Sequence, residues 1–333
     1  MKLSLFSTLR GYRKEYLPKD IFSGIIIAAV SIPISMGYAQ ISGIPAVYGL
    51  YGSVLPILLF ALFSTSRQFI FGVDAAPAAI VGGALSTLGI AAESEAAMDY
   101  VPAIALFAGL WLFIFFLLHA DKIVDFISTP VMGGFISGIA VTIILMQIPK
   151  LMGSPAGSGE LLELAEHIFA AAKNISWLSL FMGLGALVLI RTFKKLAPKF
   201  PMAIVIMALG VLSTVVFHVD EKGVVLLQSV ERGLPSLVIP DFGNVDLTQA
   251  AGRGLMVAVV IMAETLLAEN TFAFRNDYKL NDRQEILACA AGNIAAAAVG
   301  CCPVNGSISR TSLNEQYCGK SQAVSITAGI TMA

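Results

Sequence analysis

The feature that most constrains this chain is a stretch without any charged residue, from Ile21 to Ser66. One membrane crossing needs about 20 apolar residues, so the stretch is long enough for two crossings, and Gly43 and Pro45 divide it near its middle. Over the whole sequence 57% of the residues are hydrophobic and 13% are charged, whereas a soluble domain has about 25% charged residues. The sequence therefore predicts an all-α polytopic membrane protein.

Apolar segments bounded by charged or turn-forming residues predict eleven spans. They lie at 21–41, 46–63, 74–90, 101–119, 126–148, 175–190, 202–217, 254–274, 286–299, 306–316 and from 323 onward. The third and the tenth are interrupted by Gly, Pro or polar residues, which is typical of broken helices at a transporter's binding site. With a cytoplasmic N-terminus, fifteen of the 21 Lys and Arg residues lie on inside loops and five on outside loops, as the positive-inside rule expects. The predicted location is the cell (inner) membrane.

The order of the broken segments predicts an internal repeat. A broken helix comes third among the first seven spans and third again from residue 254 onward, and because seven is odd the second set begins on the opposite side of the membrane. The predicted domains are a cytoplasmic N-terminal segment (1–20), a first inverted repeat of spans one to seven (21–219), an extracytoplasmic loop (220–253) and a partial second repeat (254–333). A complete second repeat needs about four more spans, so a fragment of a longer transporter is expected.

Five motifs follow one another along the chain. They are Ile32-Pro33 through Gly37-Tyr38-Ala39; Gly43-Ile44-Pro45-Ala46-Val47-Tyr48-Gly49-Leu50-Tyr51 with Pro56; Ser66-Arg67-Gln68 with Gly72-Val73-Asp74-Ala75; Pro130-Val131-Met132-Gly133-Gly134-Phe135; and Gly306-Ser307-Ile308-Ser309-Arg310-Thr311. Together they resemble the SulP anion permeases, the sulfate permease group. The resemblance implies a seven-plus-seven inverted-repeat transporter fold, here truncated in the second repeat, with broken helices three and ten. In that family a cytoplasmic STAS domain usually follows the membrane domain, and these 333 residues are not expected to include it.

Two half-helices that point their N-termini at each other form an anion site before any side chain is added, because each exposes backbone N–H groups and about half a positive charge. Ala75 and Ala76 would supply amides from the third span, and Ser307 and Ser309 would supply hydroxyl donors from the tenth. Arg310 would supply a cation whose burial costs several kcal/mol unless an anion or an acidic partner offsets it. Helix capping by the serines and a structural ion pair of Arg310 are the alternatives.

Three further residues belong to the predicted site. Tyr38 would line the pocket with its ring, as an aromatic does at the matching family position, although core packing explains it equally well. Asp74 is expected to cap the half-helix that follows it. Glu264 lies in mid-span among apolar neighbours, where its charge would depend on what occupies the site, so it is the predicted coupling residue. Some family members hold sodium with a hydroxyl one turn later; Ala268 stands there, which favours proton coupling or a structural pair of Glu264 with Arg310.

The predicted function is secondary active transport of a small anion (sulfate, bicarbonate, chloride or dicarboxylate) by alternating access, coupled to protons or sodium or by exchange. A core of spans one to three and eight to ten is expected to move against a gate built from the others. The alternatives are a nucleobase-type carrier of the same fold and an anion channel. An intramembrane serine hydrolase would need a base near Ser307, and His119, His167 and His218 are predicted at span edges or in loops, so no enzyme activity is expected.

The predicted partners are a small inorganic or carboxylate anion, the lipid bilayer and, in the full-length protein, a second copy of the chain in a homodimer. The net charge of −1 argues against a nucleic acid. No catalytic residue, metal site or cofactor is predicted, apart from H⁺ or Na⁺ as a coupling ion. Glu269, nearer a span end, is predicted to be interfacial.

Overall fold

The computed structural model describes residues 5–122, 129–155, 157, 161–197, 200, 202–226, 236–238, 240–243 and 245–333. The helices are α1 (Leu17–Ile41), α2 (Ala46–Tyr51), α3 (Leu55–Phe63), α4 (Ala75–Thr87), α5 (Glu95–Leu118), α6 (Thr129–Leu151), α7 (Leu161–Lys173), α8 (Trp177–Leu196), α9 (Met202–Phe217), α10 (Leu247–Arg275), α11 (Asp282–Ala298), α12 (Ile308–Gln316) and α13 (Ala323–Met332). Two short strands, β1 (Ile70–Gly72) and β2 (Asn305–Ser307), precede α4 and α12. Each predicted span therefore has its helix, and each predicted break is a strand followed by a half-helix.

Within the described residues, five segments are long and apolar enough to cross a membrane: Lys14–Ile41, Ala46–Phe63, Glu95–Leu118, Trp177–Leu196 and Leu247–Arg275. Spans four and eight begin earlier than the sequence predicted, at residues 95 and 247 instead of 101 and 254. The side chain of Ser94 caps α5 and that of Asp246 caps α10, each by accepting a hydrogen bond from backbone N–H groups of the first turn. Hydropathy alone does not register such capped polar turns, so the predicted starts were too late.

The two strands hold the broken helices side by side. They pair antiparallel, with Ile70 opposite Ser307, Phe71 opposite Gly306 and Gly72 opposite Asn305. Gly306 leaves room for this pairing, because a Cβ atom at that position would collide with the ring of Phe69. The half-helices α4 and α12 therefore start from the same small ladder.

Residues up to 139 and from 230 onward form one compact unit. Within it α5 packs along α10 and α11, while α13 packs along α1 and α3. The main apolar cluster includes the stacked rings of Phe60 and Phe71, whose centroids lie 4.4 Å apart. Spans four and eleven thus lie in the same compact unit as spans one to three and eight to ten, so this unit is two spans larger than the core expected from the sequence. Hydropathy gives the order of spans but not their packing partners.

Residues 140–229 form the second compact unit, which contains α7, α8 and α9. No residue of α8 is buried, and its apolar side chains, such as Phe181 and Val188, are exposed. An apolar helix of span length with exposed apolar side chains is expected where lipid surrounds it.

Candidate functional site

Asp74 and Ser307 precede the two half-helices. Asp74 Oδ1 accepts a hydrogen bond from the Ala75 N–H at 2.8 Å, so Asp74 caps the half-helix as predicted, but through Ala75 and not through the expected N–H groups of Ala76 or beside Pro77. Ser307 makes no side-chain cap to α12, and its hydroxyl lies 3.3 Å from the hydroxyl of Ser309. One helix N-terminus therefore carries its own carboxylate, whereas the other presents hydroxyl groups and amides without a side-chain cap.

Arg310, in the first turn of α12, is 2% exposed. Its Nη2 atom donates a hydrogen bond to the Val73 carbonyl oxygen at 2.7 Å and lies 3.9 Å from Asp74 Oδ2. The guanidinium also lies over Gly72, since a Cβ atom there would come within 3.0 Å of Nη1. Its Nε atom has no hydrogen-bond partner within the described ranges. A buried cation with an unsatisfied donor and a loosely placed counterion still favours a nearby anion.

Glu264 does not pair with Arg310, so the structural pair that the sequence allowed is wrong. Its Oε2 atom accepts a hydrogen bond from Asn305 Nδ2 at 2.7 Å, and the ion pair of Arg310 is with Asp74. Arg310 folds back over Gly72 towards the cap of α4, whereas Asn305, which lies opposite Gly72 in the ladder, directs its side-chain amide to Glu264 and Thr265 of α10.

Two polar links were missed by the sequence reasoning. Asn305 Oδ1 accepts a hydrogen bond from Thr265 Oγ1 at 2.6 Å, so the Asn305 amide bridges neighbouring residues of α10. Thr311 Oγ1 accepts from the Ile70 N–H at 3.0 Å and donates to the Ser307 carbonyl at 2.6 Å, which ties α12 to β1. Asn305 directly precedes the last motif and Thr265 directly follows Glu264, but neither position carries a pattern that distinguishes a bridging side chain.

The remaining predicted residues surround the same ladder. Tyr38 of α1 is half-buried and packs against the main apolar cluster, and the charged groups that act on its hydroxyl are those of Asp74, Arg310 and Glu264. Ala75 and Glu264 are half-buried, and Ser309 is exposed. The structure therefore brings together, around β1 and β2, all the residues of the predicted site: Tyr38, Asp74, Ala75, Ala76, Glu264, Ser307, Ser309 and Arg310.

Comparison with known proteins gives a family and several relatives. The profile described as "Sulfate permease family" matches residues 17–333. Sulfate transporter 4.1, chloroplastic, of Arabidopsis thaliana is 30% identical over 338 aligned positions, which cover 98% of this chain and 48% of that protein. A probable sulfate transporter of Mycobacterium tuberculosis is 26% identical over 319 positions, covering 96% of this chain and 57% of that protein. The chain spans about half the length of the curated relatives it matches.

Two solved structures share the fold. The transmembrane domain of a cyanobacterium bicarbonate transporter, BicA, superimposes with a TM-score of 0.83 at 19% identity, over 96% of this chain and 82% of that chain. The murine Solute Carrier 26 family member A9 anion transporter, in the inward-facing state, superimposes with a TM-score of 0.85 at 18% identity, over 98% and 57% of the two chains. These likenesses confirm the predicted inverted-repeat transporter fold with broken helices three and ten.

Proposed function

Because the chain belongs to the sulfate permease family, we propose that it carries the anion site of a secondary active transporter. The observation that carries this proposal is the buried Arg310 guanidinium between the starts of α4 and α12, with its Nε atom unsatisfied in the described part of the chain. Helix N-termini favour negative charge, and an arginine beside them strengthens that preference. Relatives named as sulfate transporters and a fold neighbour named as a bicarbonate transporter support a small anion as the substrate.

The substrate is held mainly by α12. The hydroxyl groups of Ser307 and Ser309 and the first-turn amides donate hydrogen bonds to it. The amide of Ala76 faces it from the start of α4, whereas the Ala75 N–H, which the sequence also assigned to the site, already donates to Asp74. Arg310 lies 3.9 Å from Asp74, so the carboxylate offsets only part of its charge, and the guanidinium adds to the field of the two helix dipoles. Sulfate, bicarbonate, chloride and dicarboxylates all accept such hydrogen bonds.

Glu264 provides the coupling. Its carboxyl group is half-buried and close enough to Asp74 for their charges to interact, and it accepts one hydrogen bond from Asn305. A negative charge there opposes an incoming anion, while a proton on Glu264 removes the opposition. Binding of the anion therefore favours protonation of Glu264, which is the thermodynamic basis of proton coupling.

Alternating access follows from movement of the compact unit that carries the site. That unit contains spans one to four and eight to eleven, held by the packing of α5, α10 and α11. We expect the N-terminus in the cytoplasm, the protein in the cell membrane and a homodimer of the full-length protein.

Other functions fit the site less well. A nucleobase-type carrier needs free amide and carboxyl groups for a neutral heterocycle, but Asn305 and Glu264 bind each other. A serine hydrolase needs a base beside its nucleophile, whereas the hydroxyl of Ser307 faces that of Ser309, and His119, His167 and His218 are all exposed. An anion channel would use the same hydrogen-bond donors, and the uptake assay described next distinguishes it from a carrier.

The test is uptake by the full-length protein in liposomes, with a panel of radiolabelled anions and imposed proton or sodium gradients. We expect saturable uptake that shows counterflow, accelerates with an inward proton gradient and is lost in Arg310→Gln. Arg275→Gln is the matched control, because Arg275 is an exposed arginine paired with Glu315 at 3.6 Å. Uptake that neither saturates nor shows counterflow would indicate a channel, and undiminished uptake by Arg310→Gln would refute the site.

A further inference from the structure

Two fully buried carboxyl groups lie together outside the anion site. Glu269 of α10 was predicted to be interfacial, but it is 0% exposed, and so is Glu285 of α11. The two carboxyl groups lie within hydrogen-bonding reach of each other. Two buried carboxylates side by side repel each other strongly and lose their hydration, so one of the pair holds a proton.

Hydrogen-bond directions show which carboxyl group is ionised. Glu285 accepts from the Ser64 hydroxyl at 2.7 Å and from both the N–H and the hydroxyl of Thr65. The Ser64 oxygen itself accepts from the Ser66 N–H, and the Thr65 hydroxyl oxygen accepts from the Asn281 N–H, both at 3.0 Å. Each hydroxyl is therefore left to donate its own hydrogen to Glu285. Three donors stabilise a carboxylate.

Glu269 has the opposite surroundings. Neither of its carboxyl oxygens has a hydrogen-bond donor among the residues that the structure describes. A carboxylate without donors in a protein interior is very unfavourable, whereas a carboxylic acid needs an acceptor, and Glu285 supplies one. The proton consequently belongs to Glu269, which donates it to Glu285.

Three other titratable groups face the pair: Tyr278, Asp282 and Cys289. Burial raises the pKa of Tyr278 to about 12, so its hydroxyl stays neutral in mildly alkaline solution. That hydroxyl lies 3.2 Å from the Ser66 hydroxyl, and the Arg67 guanidinium carbon lies 5.7 Å from the centre of its ring. Asp282 places a further negative charge beside the pair.

We propose that Glu269 and Glu285 form a proton-binding site separate from Glu264, and that the bound proton locks the turn after α3 against α10 and α11. The site joins three elements, because Ser64 and Thr65 follow α3, Glu269 is in α10 and Glu285 is in α11. Loss of the proton leaves two adjacent negative charges that push α10 and α11 apart. The proposal does not depend on which ligand is transported.

Two measurements on the full-length protein in liposomes or detergent test it. Infrared difference spectra over a pH titration should show the band of a buried protonated carboxylic acid, which Glu269→Gln removes. The melting temperature of the wild type should fall by at least about 3 °C more than that of Glu269→Gln as the solution is made alkaline, because the Gln amide donates to Glu285 but cannot lose a proton. Glu95→Gln, at an exposed glutamate, should behave as the wild type in both.

A second variant keeps the test decisive if Glu269→Gln does not fold. In Glu285→Gln the acid band should disappear at lower pH than in the wild type, because the neighbouring charge that holds the proton is gone. The proposal is overturned if no acid band belongs to Glu269, if the Glu285→Gln titration does not move, or if Glu269→Gln melts with the wild-type pH dependence. Stabilisation of the wild type by added sodium at fixed pH, absent in Glu269→Gln, would assign the pair to a metal cation and also overturn it.

Discussion

The half-helices α4 and α12 start from one antiparallel ladder, yet they differ in chemistry. α4 is apolar and begins with the carboxylate cap of Asp74, whereas α12 is polar, lacks a side-chain cap and carries Arg310 in its first turn. Arg310 reaches back to the cap of α4, 3.9 Å from Asp74 Oδ2. The positive charge of Arg310 in α12 thus faces the negative charge of Asp74 at the start of α4, and neither half-helix alone supplies both charges.

The difference between α4 and α12 shows that the position of the two helix N-termini and their preference for a ligand depend on different residues. The ladder fixes where the two N-termini lie, and their dipoles have the same sign. The carboxylate of Asp74 occupies part of the α4 terminus, so the donors left for an anion come mostly from α12. Binding of an anion is therefore expected to depend more on α12 than on α4.

The largest expected effect is that of Arg310→Gln. It should abolish anion uptake and lower the free energy of unfolding by about 3 kcal/mol, because Asp74 loses its counterion and the Val73 carbonyl loses its donor. Uptake in liposomes and unfolding in detergent measure the two quantities.

A double variant separates charge balance from anion binding. Arg310→Gln combined with Asp74→Asn should recover most of the lost stability, because both charges are gone, but it should not recover uptake. Arg275→Gln, at an exposed ion pair, should change stability by less than about 0.5 kcal/mol. Uptake by the double variant would show that the two helix dipoles suffice for anion binding. The different charges of α4 and α12 would then have no role in transport.

The next largest effect should come from Asn305→Ala. Removing the amide leaves Glu264 and Thr265 without the partner that now joins them, which should lower the free energy of unfolding by about 2 kcal/mol. Asn270→Ala, at an exposed asparagine of the same helix α10, is the control and should cost about 0.5 kcal/mol. Equal losses in the two variants would show that α12 is not tied to α10 through this bridge.

The sequence predicted the half-helices because their breaks are local. Gly72, Gly306 and the polar residues that follow interrupt apolar segments, and such interruptions are visible in hydropathy and turn chemistry. The partner of Arg310 was not predictable in this way. It depends on the register that sets Gly72 opposite Asn305, and a shift of that register would change which carboxylate the guanidinium meets.

Glu269 illustrates the same limit. Its place along α10 indicated an interfacial side chain, but the side chain is completely buried beside Glu285 of α11. Burial of this kind results from packing between segments that are distant in sequence, such as Thr65 and Glu285. Residue order gives the positions of spans, whereas the contacts between spans decide which charged groups are hidden.

A smaller effect on folding, but a specific one on transport, is expected for Glu264→Gln. The Gln carbonyl can still accept from Asn305, so stability should change by less than about 1 kcal/mol. Wild-type uptake should rise as the pH falls, because a proton removes the negative charge that opposes the anion. The variant is neutral at all pH values, so its uptake should stay high and lose this dependence while exchange continues. The pH dependence is measured as uptake at a series of pH values and with imposed proton gradients. A variant that keeps the full pH dependence of the wild type would refute coupling at this residue.

The smallest effect, and the sharpest comparison of the two halves, is that of Ser309→Ala. Its hydroxyl is exposed in the first turn of α12, so folding should be unchanged within about 0.5 kcal/mol. Loss of one donor to a charged ligand, about 1 kcal/mol, should raise the KM for uptake roughly fivefold with little change in kcat. Ser86→Ala, at the far end of α4, should leave the KM unchanged, because that hydroxyl lies in the last turn and not at the N-terminus. If Ser86→Ala raised the KM and Ser309→Ala did not, the ligand would lie away from the start of α12, and the preference for that half-helix would be wrong.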